Sequence, residues 1–175
     1  MGHRISRAHF YSIPKRTIYI ELPDQDASYT ESGEKECGLL MKPMYGTQDA
    51  PKIWQSQYTN LLESANIKRG RSHASVFYRD SDGTRIVVHG DDFLVLSDSQ
   101  GLQEIDDLLL SAYELKRLGT LSFEEGDNRE IRGLNRLIRV GRHNGPQGVF
   151  LEPDRRHVDV LIRELGLETE KSGHT

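Results

Sequence analysis

Arg85-Ile86-Val87-Val88-His89-Gly90-Asp91-Asp92-Phe93-Leu94-Val95-Leu96 is the stretch on which the fold turns. Val and Ile before the acidic pair, and Phe, Leu and Val after it, favour a pleated, half-buried surface, so the two segments are expected to pair as a hairpin. That places Asp91 and Asp92 at its tip. Adjacent carboxylates repel each other unless a cation sits beside them, and paired oxygen ligands suit Mg²⁺. Asp91 and Asp92 are therefore candidate metal ligands and candidate catalytic groups for phosphoryl or nucleotidyl transfer. A plainer reading stands beside this one, because Gly and Asp are also the residues that ordinary turns use.

Working outward, Ser75–Tyr78 reads as a further strand, with Asp80-Ser81-Asp82-Gly83 as the turn into Thr84–His89. Upstream, Arg16–Leu22 reads as a strand and Pro23–Gly38 as a polar loop. Pro51 suits a helix start, where its missing N–H costs nothing, and Ile53, Trp54, Tyr58, Leu61, Leu62 and Ala65 recur at helical spacing behind it. Trp54 and Tyr58 could stack on a base, but an aromatic stripe at this spacing is read as core. Leu102, Ile105, Leu108, Leu109, Ala112 and Leu115 mark a second amphipathic helix, with Ser99 or Gln100 near its start. Gly133–Val140 and Gly148–Leu151 suggest a second hairpin around His143-Asn144-Gly145-Pro146-Gln147. The spacing of Arg129, Arg132, Arg136 and Arg139 would also suit a helix, but Gly133 and the Asn-Gly-Pro turn argue against a long one. Pro153 would open a last helix through Leu165, stopped by Gly166. Strand, helix, hairpin, helix, strand is a split βαβ order, so the fold class expected is α+β: a ferredoxin-like antiparallel sheet with both helices on one face.

Four further segments carry a family likeness. Leu39-Leu40-Met41-Lys42-Pro43-Met44-Tyr45-Gly46-Thr47-Gln48-Asp49-Ala50-Pro51-Lys52-Ile53-Trp54 resembles the Leu-Tyr-Gly, Ala-Pro, Trp signature of copia-type retrotransposon reverse transcriptases, which precedes the hairpin bearing that family's Asp-Asp pair. Ser75-Val76-Phe77-Tyr78 resembles the strand before that hairpin, and Glu114-Leu115-Lys116-Arg117-Leu118-Gly119-Thr120-Leu121 resembles its Met-Lys-Asp-Leu-Gly-x-Leu segment. Gly148-Val149-Phe150-Leu151, with Arg155, Val158 and Leu161, resembles the closing strand and helix. The resemblance implies a polymerase palm acting as an RNA-directed DNA polymerase with Mg²⁺ or Mn²⁺. It implies Asp91 and Asp92 as catalytic and metal-binding, and His9, Tyr45, Gly46 and Gln48 as substrate-binding. Its implied partners are an RNA/DNA template-primer, deoxynucleoside triphosphates and the remaining parts of a Pol polyprotein. One reverse transcriptase domain fragment is expected over 1–175: partial fingers and first palm strand in 1–50, palm core in 51–125, second hairpin and closing helix in 126–175.

One departure stands at the first motif. Where the family has Asp-Val-x-x-Ala-Phe, this chain has Arg4-Ile5-Ser6-Arg7-Ala8-His9-Phe10-Tyr11. Arginine keeps its proton under all relevant conditions, so it sets a positive charge where the likeness implies a metal-binding carboxylate. His9 falls where the family has the aromatic that polices the sugar 2′ position. Metal binding is accordingly expected to be weak and the chain inactive alone. Truncation, a mis-start or decay of the element would each explain a start that carries few of the fingers.

The chain has 175 residues, 35% hydrophobic content and a net charge of -4, enough for one domain with a modest core. The acidic balance argues against a protein whose whole surface grips nucleic acid, since that binding is driven by Lys and Arg. Lys68, Arg69 and Arg71 form one basic knot, and Arg129, Arg132, Arg136, Arg139 and Arg142 a second basic stretch. Either could be a solvated surface, and the resemblance implies that Lys68, Arg69, Arg71, Arg136 and Arg139 face the template-primer. No apolar run nears the roughly 20 residues of a membrane span, and no signal peptide is evident. A lone Cys37 forms no internal disulfide, so an intracellular location, cytoplasmic or nuclear and away from membranes, is expected. A Gly-Gly-Asp-Glu-Phe nucleotide cyclase would need Glu after the Asp, and a viral RNA polymerase would lack the Tyr45, Gly46, Ala50, Pro51, Trp54 pattern. The alternative that remains is a non-enzymatic nucleic-acid-binding or interaction protein derived from a decayed retroelement.

Overall fold

The computed structural model describes residues 1–134, 136–142, 147–153 and 155–167. The chain divides into two units, one spanning Arg4–Lys116 and the other joining Met1–His3 to Arg117–Thr175.

In chain order the elements are β1 (Gly2–Ile5), a 3-10 turn (Ala8–Tyr11), β2 (Tyr19–Glu21), β3 (Cys37–Leu39), α1 (Ala50–Ser64), β4 (Lys68–Arg69), β5 (Val76–Arg79), β6 (Thr84–His89), β7 (Asp92–Leu96), α2 (Ser99–Ala112) and β8 (Leu115–Gly119). The main sheet runs β4-β5-β6-β7-β1-β8. Within it, β1, α1, β6, β7, α2 and β8 follow one another as a βαββαβ set, with β1 inserted beside β7. The class is α+β, as the alternation and helical spacing predict.

Strand β6 shows why one face is covered. Thr84, Ile86 and Val88 are buried while Arg85, Val87 and His89 are exposed, the period-2 pattern of a sheet packed on one side. The buried side joins Phe77, Phe93 and Val95 to Trp54, Tyr58 and Leu62 of α1 and to Ile105 and Leu109 of α2 in one core. Both helices therefore lie on the same face. Phe77, Ile86 and Phe93 are wholly shielded from solvent, each contributing about 1.5–3 kcal/mol of transfer free energy. Neither α1 nor α2 lies on the opposite face.

Element ends show where local signals compete with tertiary ones. Helix α2 is capped by Asp98, whose carboxylate accepts the Gly101 N–H at 2.7 Å, one residue before the expected start. The helix also stops earlier than the apolar spacing predicts: Tyr113 is extended and Leu115 belongs to β8. Tyr113 leaves the helix because its ring packs edge-on against Trp54 at 5.1 Å and Tyr11 at 5.0 Å. The turn before β6 is tied to α2, since Arg79 hydrogen-bonds Asp82 at 3.0 Å and Glu104 at 2.8 Å. Of the expected strand Arg16–Leu22 only β2 forms, and its partner β3 takes the end of the expected loop.

The second unit carries β9 (Glu130–Gly133), β10 (Arg136–Arg142), β11 (Gln147–Pro153) and α3 (Arg155–Glu164). The expected second hairpin is present, β10 pairing β11 in a register that runs from Arg136↔Pro153 to Arg142↔Gln147. Its turn residues His143-Asn144-Gly145-Pro146 lie outside the described residues. Strand β9, which the spacing did not reveal, pairs with the other edge of β10, and Leu134 at a φ of 54° begins the turn between them. Gly166 ends α3 with a φ of 66°, its N–H and that of Leu167 capping Arg163 and Ile162 carbonyls.

Candidate functional site

The acidic hairpin forms as expected, with His89 paired to Asp92 across a two-residue turn of Gly90 and Asp91. Gly90 has a φ of 61°, whereas Asp91 does not have positive φ, the pattern of a II′ turn. A side chain at Gly90 would be strained by the backbone angle alone. Asp92 is already the first residue of β7, and only Asp91 lies in the turn. Trp54 fixes the turn from below: its indole Nε1–H donates to the Gly90 carbonyl at 2.8 Å. The Trp54 of the Ala-Pro, Trp segment is thus buried core and, at the same time, the hydrogen-bond partner of the acidic turn.

Alternation along β7 sends Phe93 and Val95 into the core, and so directs Asp92 to the face away from α1 and α2. Along the neighbouring β1, Ile5 is buried and Arg4 is exposed, which puts Arg4 on that same face. The strands are held side by side there, since the Ile5 N–H donates to the Asp91 carbonyl at 2.8 Å. Arg4 and Asp92 meet as a fork. Nε of Arg4 donates to Oδ1 of Asp92 at 2.7 Å, and Nη2 donates to Oδ2 at 3.2 Å. Planar guanidinium and carboxylate match in this two-bond geometry as no ammonium could. The Asp92 side chain is only 8% exposed and that of Arg4 is 50% exposed, so the guanidinium lies over the carboxylate as a half-solvated lid. The hydrogen bond to Asp92 and its charge, with Asp91 adding, hold the Arg4 guanidinium above its ordinary pKa.

His9 and Tyr45, far apart in sequence, come together edge-on with ring centroids 4.3 Å apart. Burial, reinforced by the Asp91 charge, pushes the Tyr45 phenol up. Gly46 supplies a positive φ of 94° for the turn after Tyr45, and Gln48 is exposed on the way to α1. His9 also reaches a cleft of about 400 Å³ lined with Trp54, Tyr58, Lys52 and Gly90, and its buried Nδ1 finds no partner among the described residues. Of the basic residues, Lys68 and Arg69 form β4, and Arg71 follows it; all three are exposed. Arg136 and Arg139 belong to the other unit, where Arg139 is engaged across the sheet with Glu130 at 3.0 Å and Glu152 at 3.1 Å.

A divalent ion needs several oxygen ligands free to turn toward it. Both Asp92 oxygens are already held by Arg4, and among the described residues no group of three or more His, Cys, Asp or Glu comes together as a metal set. The side chains as they stand do not fit a metal. Sequence reasoning identified Arg4 as out of place but not its partner; opposite charges on positions that alternation sends to one face were the available signal. The Trp54 bond to Gly90 left no signal at all, because helical spacing reports burial and not the partner of an indole N–H.

Among the described residues no helix is long and apolar enough to cross a membrane. Comparison with curated proteins and with solved structures finds no match. The family model described as reverse transcriptase (RNA-dependent DNA polymerase) matches residues 3–141, a span that holds β1, the Tyr45-to-Trp54 segment and the acidic hairpin. With most of its length matched, the chain belongs to the reverse transcriptase (RNA-dependent DNA polymerase) family.

Proposed function

We propose that this chain is the palm region of a copia-type reverse transcriptase, and that by itself it does not synthesise DNA. Asp91 and Asp92 stand for the catalytic pair of the family, His9, Tyr45, Gly46 and Gln48 for its nucleotide-binding side, and Lys68, Arg69 and Arg71 for contacts to the phosphates of a template-primer. Arg136 and Arg139 are assigned the same nucleic-acid role from their unit, and the natural partners are the remaining parts of a Pol polyprotein. The observation that carries the inactive reading is the fork between Arg4 and Asp92. Nucleotidyl transfer draws its rate from positioning and from charge stabilisation of the transferring phosphoryl group. A carboxylate whose two oxygens are committed to a guanidinium supplies neither. What remains for the chain to do is hold nucleic acid on the face away from α1 and α2, and the same fork favours the second reading, a non-enzymatic nucleic-acid-binding protein of retroelement origin.

Primer extension on an RNA template tests this reading, with Mg²⁺ and separately with Mn²⁺. The expected result is no product beyond that of an Asp91→Ala control. Extension by the unmodified chain that disappears in Asp91→Ala would overturn it.

A further inference from the structure

We propose that Arg4 is a built-in cation that takes the place of a divalent metal at the acidic hairpin, so that the site is neutralised and closed by the chain itself. The inference deepens the reading above and rests on Asp91 and Asp92 being the family's carboxylate pair. Asp91 in the turn and Asp92 on the strand leaving it are adjacent carboxylates that repel each other, and the charge that offsets them comes from an ion, from water or from the protein. Water is a poor source for Asp92, which is 8% exposed. The protein supplies the charge instead: Arg4 reaches Asp92 through two hydrogen bonds of 2.7 Å and 3.2 Å, and the charge of Asp91 acts on the same guanidinium. Backbone pairing of Ile5 with Asp91 at 2.8 Å fixes Arg4 opposite the pair, so the contact belongs to the strand arrangement and not to a loose surface side chain.

Exclusion of a metal follows from sign as well as from space. A divalent ion entering here would have to break both bonds of the fork and then sit beside a guanidinium that cannot be deprotonated. Unlike a metal, this cation cannot be chelated or exchanged. Arg4→Asp reverses the charge at one point and adds a third carboxylate, and so should convert a self-neutralised hairpin into a cation site.

Mn²⁺ is the probe, read by paramagnetic broadening of backbone amide signals in the full, isotope-labelled chain. The unmodified chain is expected to show no broadening centred on Gly90 to Phe93, whereas Arg4→Asp shows it there at Mn²⁺ concentrations at least about tenfold below any that affect the unmodified hairpin. Adding Asp92→Asn to Arg4→Asp should abolish the gain. Broadening of the unmodified hairpin with an affinity equal to that of Arg4→Asp would overturn the inference, as would a folded Arg4→Asp chain that binds no Mn²⁺. Arg4→Gln serves as the second variant and should gain a weaker version of the same site. If both variants unfold, recovery of structure on adding Mn²⁺ supports the proposal, and failure to recover counts against it. Mn²⁺ at the hairpin of an unmodified chain that extends no primer would sink this inference alone, leaving the inactive palm in place.

Discussion

Replacing Trp54 by Phe separates the core reading of α1 from one in which its aromatic residues serve nucleic acid. Trp54 is 2% exposed, its ring meets Tyr58 at 5.4 Å and Tyr113 at 5.1 Å, and its N–H satisfies the Gly90 carbonyl at 2.8 Å. Phe removes the donor and leaves a part-buried carbonyl unpaired, a loss of about 1 kcal/mol. It also leaves part of the indole volume empty among neighbours that relax only partly, a further loss of about 1–2 kcal/mol. The expected sum is about 2–3 kcal/mol. At about 4 °C per kcal/mol for a unit of this size, that lowers Tm by about 8–12 °C. Thermal unfolding followed by circular dichroism reads the change, since the substitution removes the chain's single Trp and with it the fluorescence signal. The amide signals of Gly90 and Asp91 should shift as well, because the turn loses its support. A Tm within about 2 °C of the parent, with a fall in affinity for single-stranded nucleic acid, would refute the core assignment.

Two further outcomes follow from buried and paired groups in the same unit. The Tyr113 hydroxyl is buried without a hydrogen-bond partner among the described residues, and burial pushes the phenol up to about 12, so Tyr113→Phe should stabilise the protein by about 1 kcal/mol, read as a higher urea midpoint. Asp82 is held well below the usual carboxylate range by Arg79 first, and by Thr84. Its folded pKa is depressed, so its contribution is present above the ordinary Asp value and is lost as pH falls toward the folded one; Asp82→Asn should be the less stable at pH 7 and approach the parent in strong acid, as measured by thermal unfolding across that range.

Elements whose neighbours in sequence are also their neighbours in space were legible from residues alone. The acidic hairpin is one, because β6 and β7 alternate and Gly90 supplies the angle its turn requires. Helix α1 is another, since Pro51 and a stripe at helical spacing mark its start and its buried side. Strands β8 and β9 were not legible: Leu115-Lys116-Arg117-Leu118-Gly119 and Glu130-Ile131-Arg132-Gly133 show little apolar alternation, and they pair because β1 and β10 offer them an edge. Leu115 shows the same competition at a helix end: its spacing continues α2, but burying the Tyr113 ring outweighs one more helical turn.

The candidate site divides along the same line. Sequence by itself determined which side chains are chemically unusual: two adjacent carboxylates at a turn, and an arginine where a family likeness implies a third. Only the tertiary structure decided that Arg4 and Asp92, 88 residues apart, stand on neighbouring strands of one sheet with both side chains on the face away from α1 and α2. The physical reason is that alternation assigns a residue to a face, whereas the order of strands within a sheet is set by how the helices close the other side. Inserting β1 beside β7 is what turned a misplaced positive charge into the partner of the acidic pair.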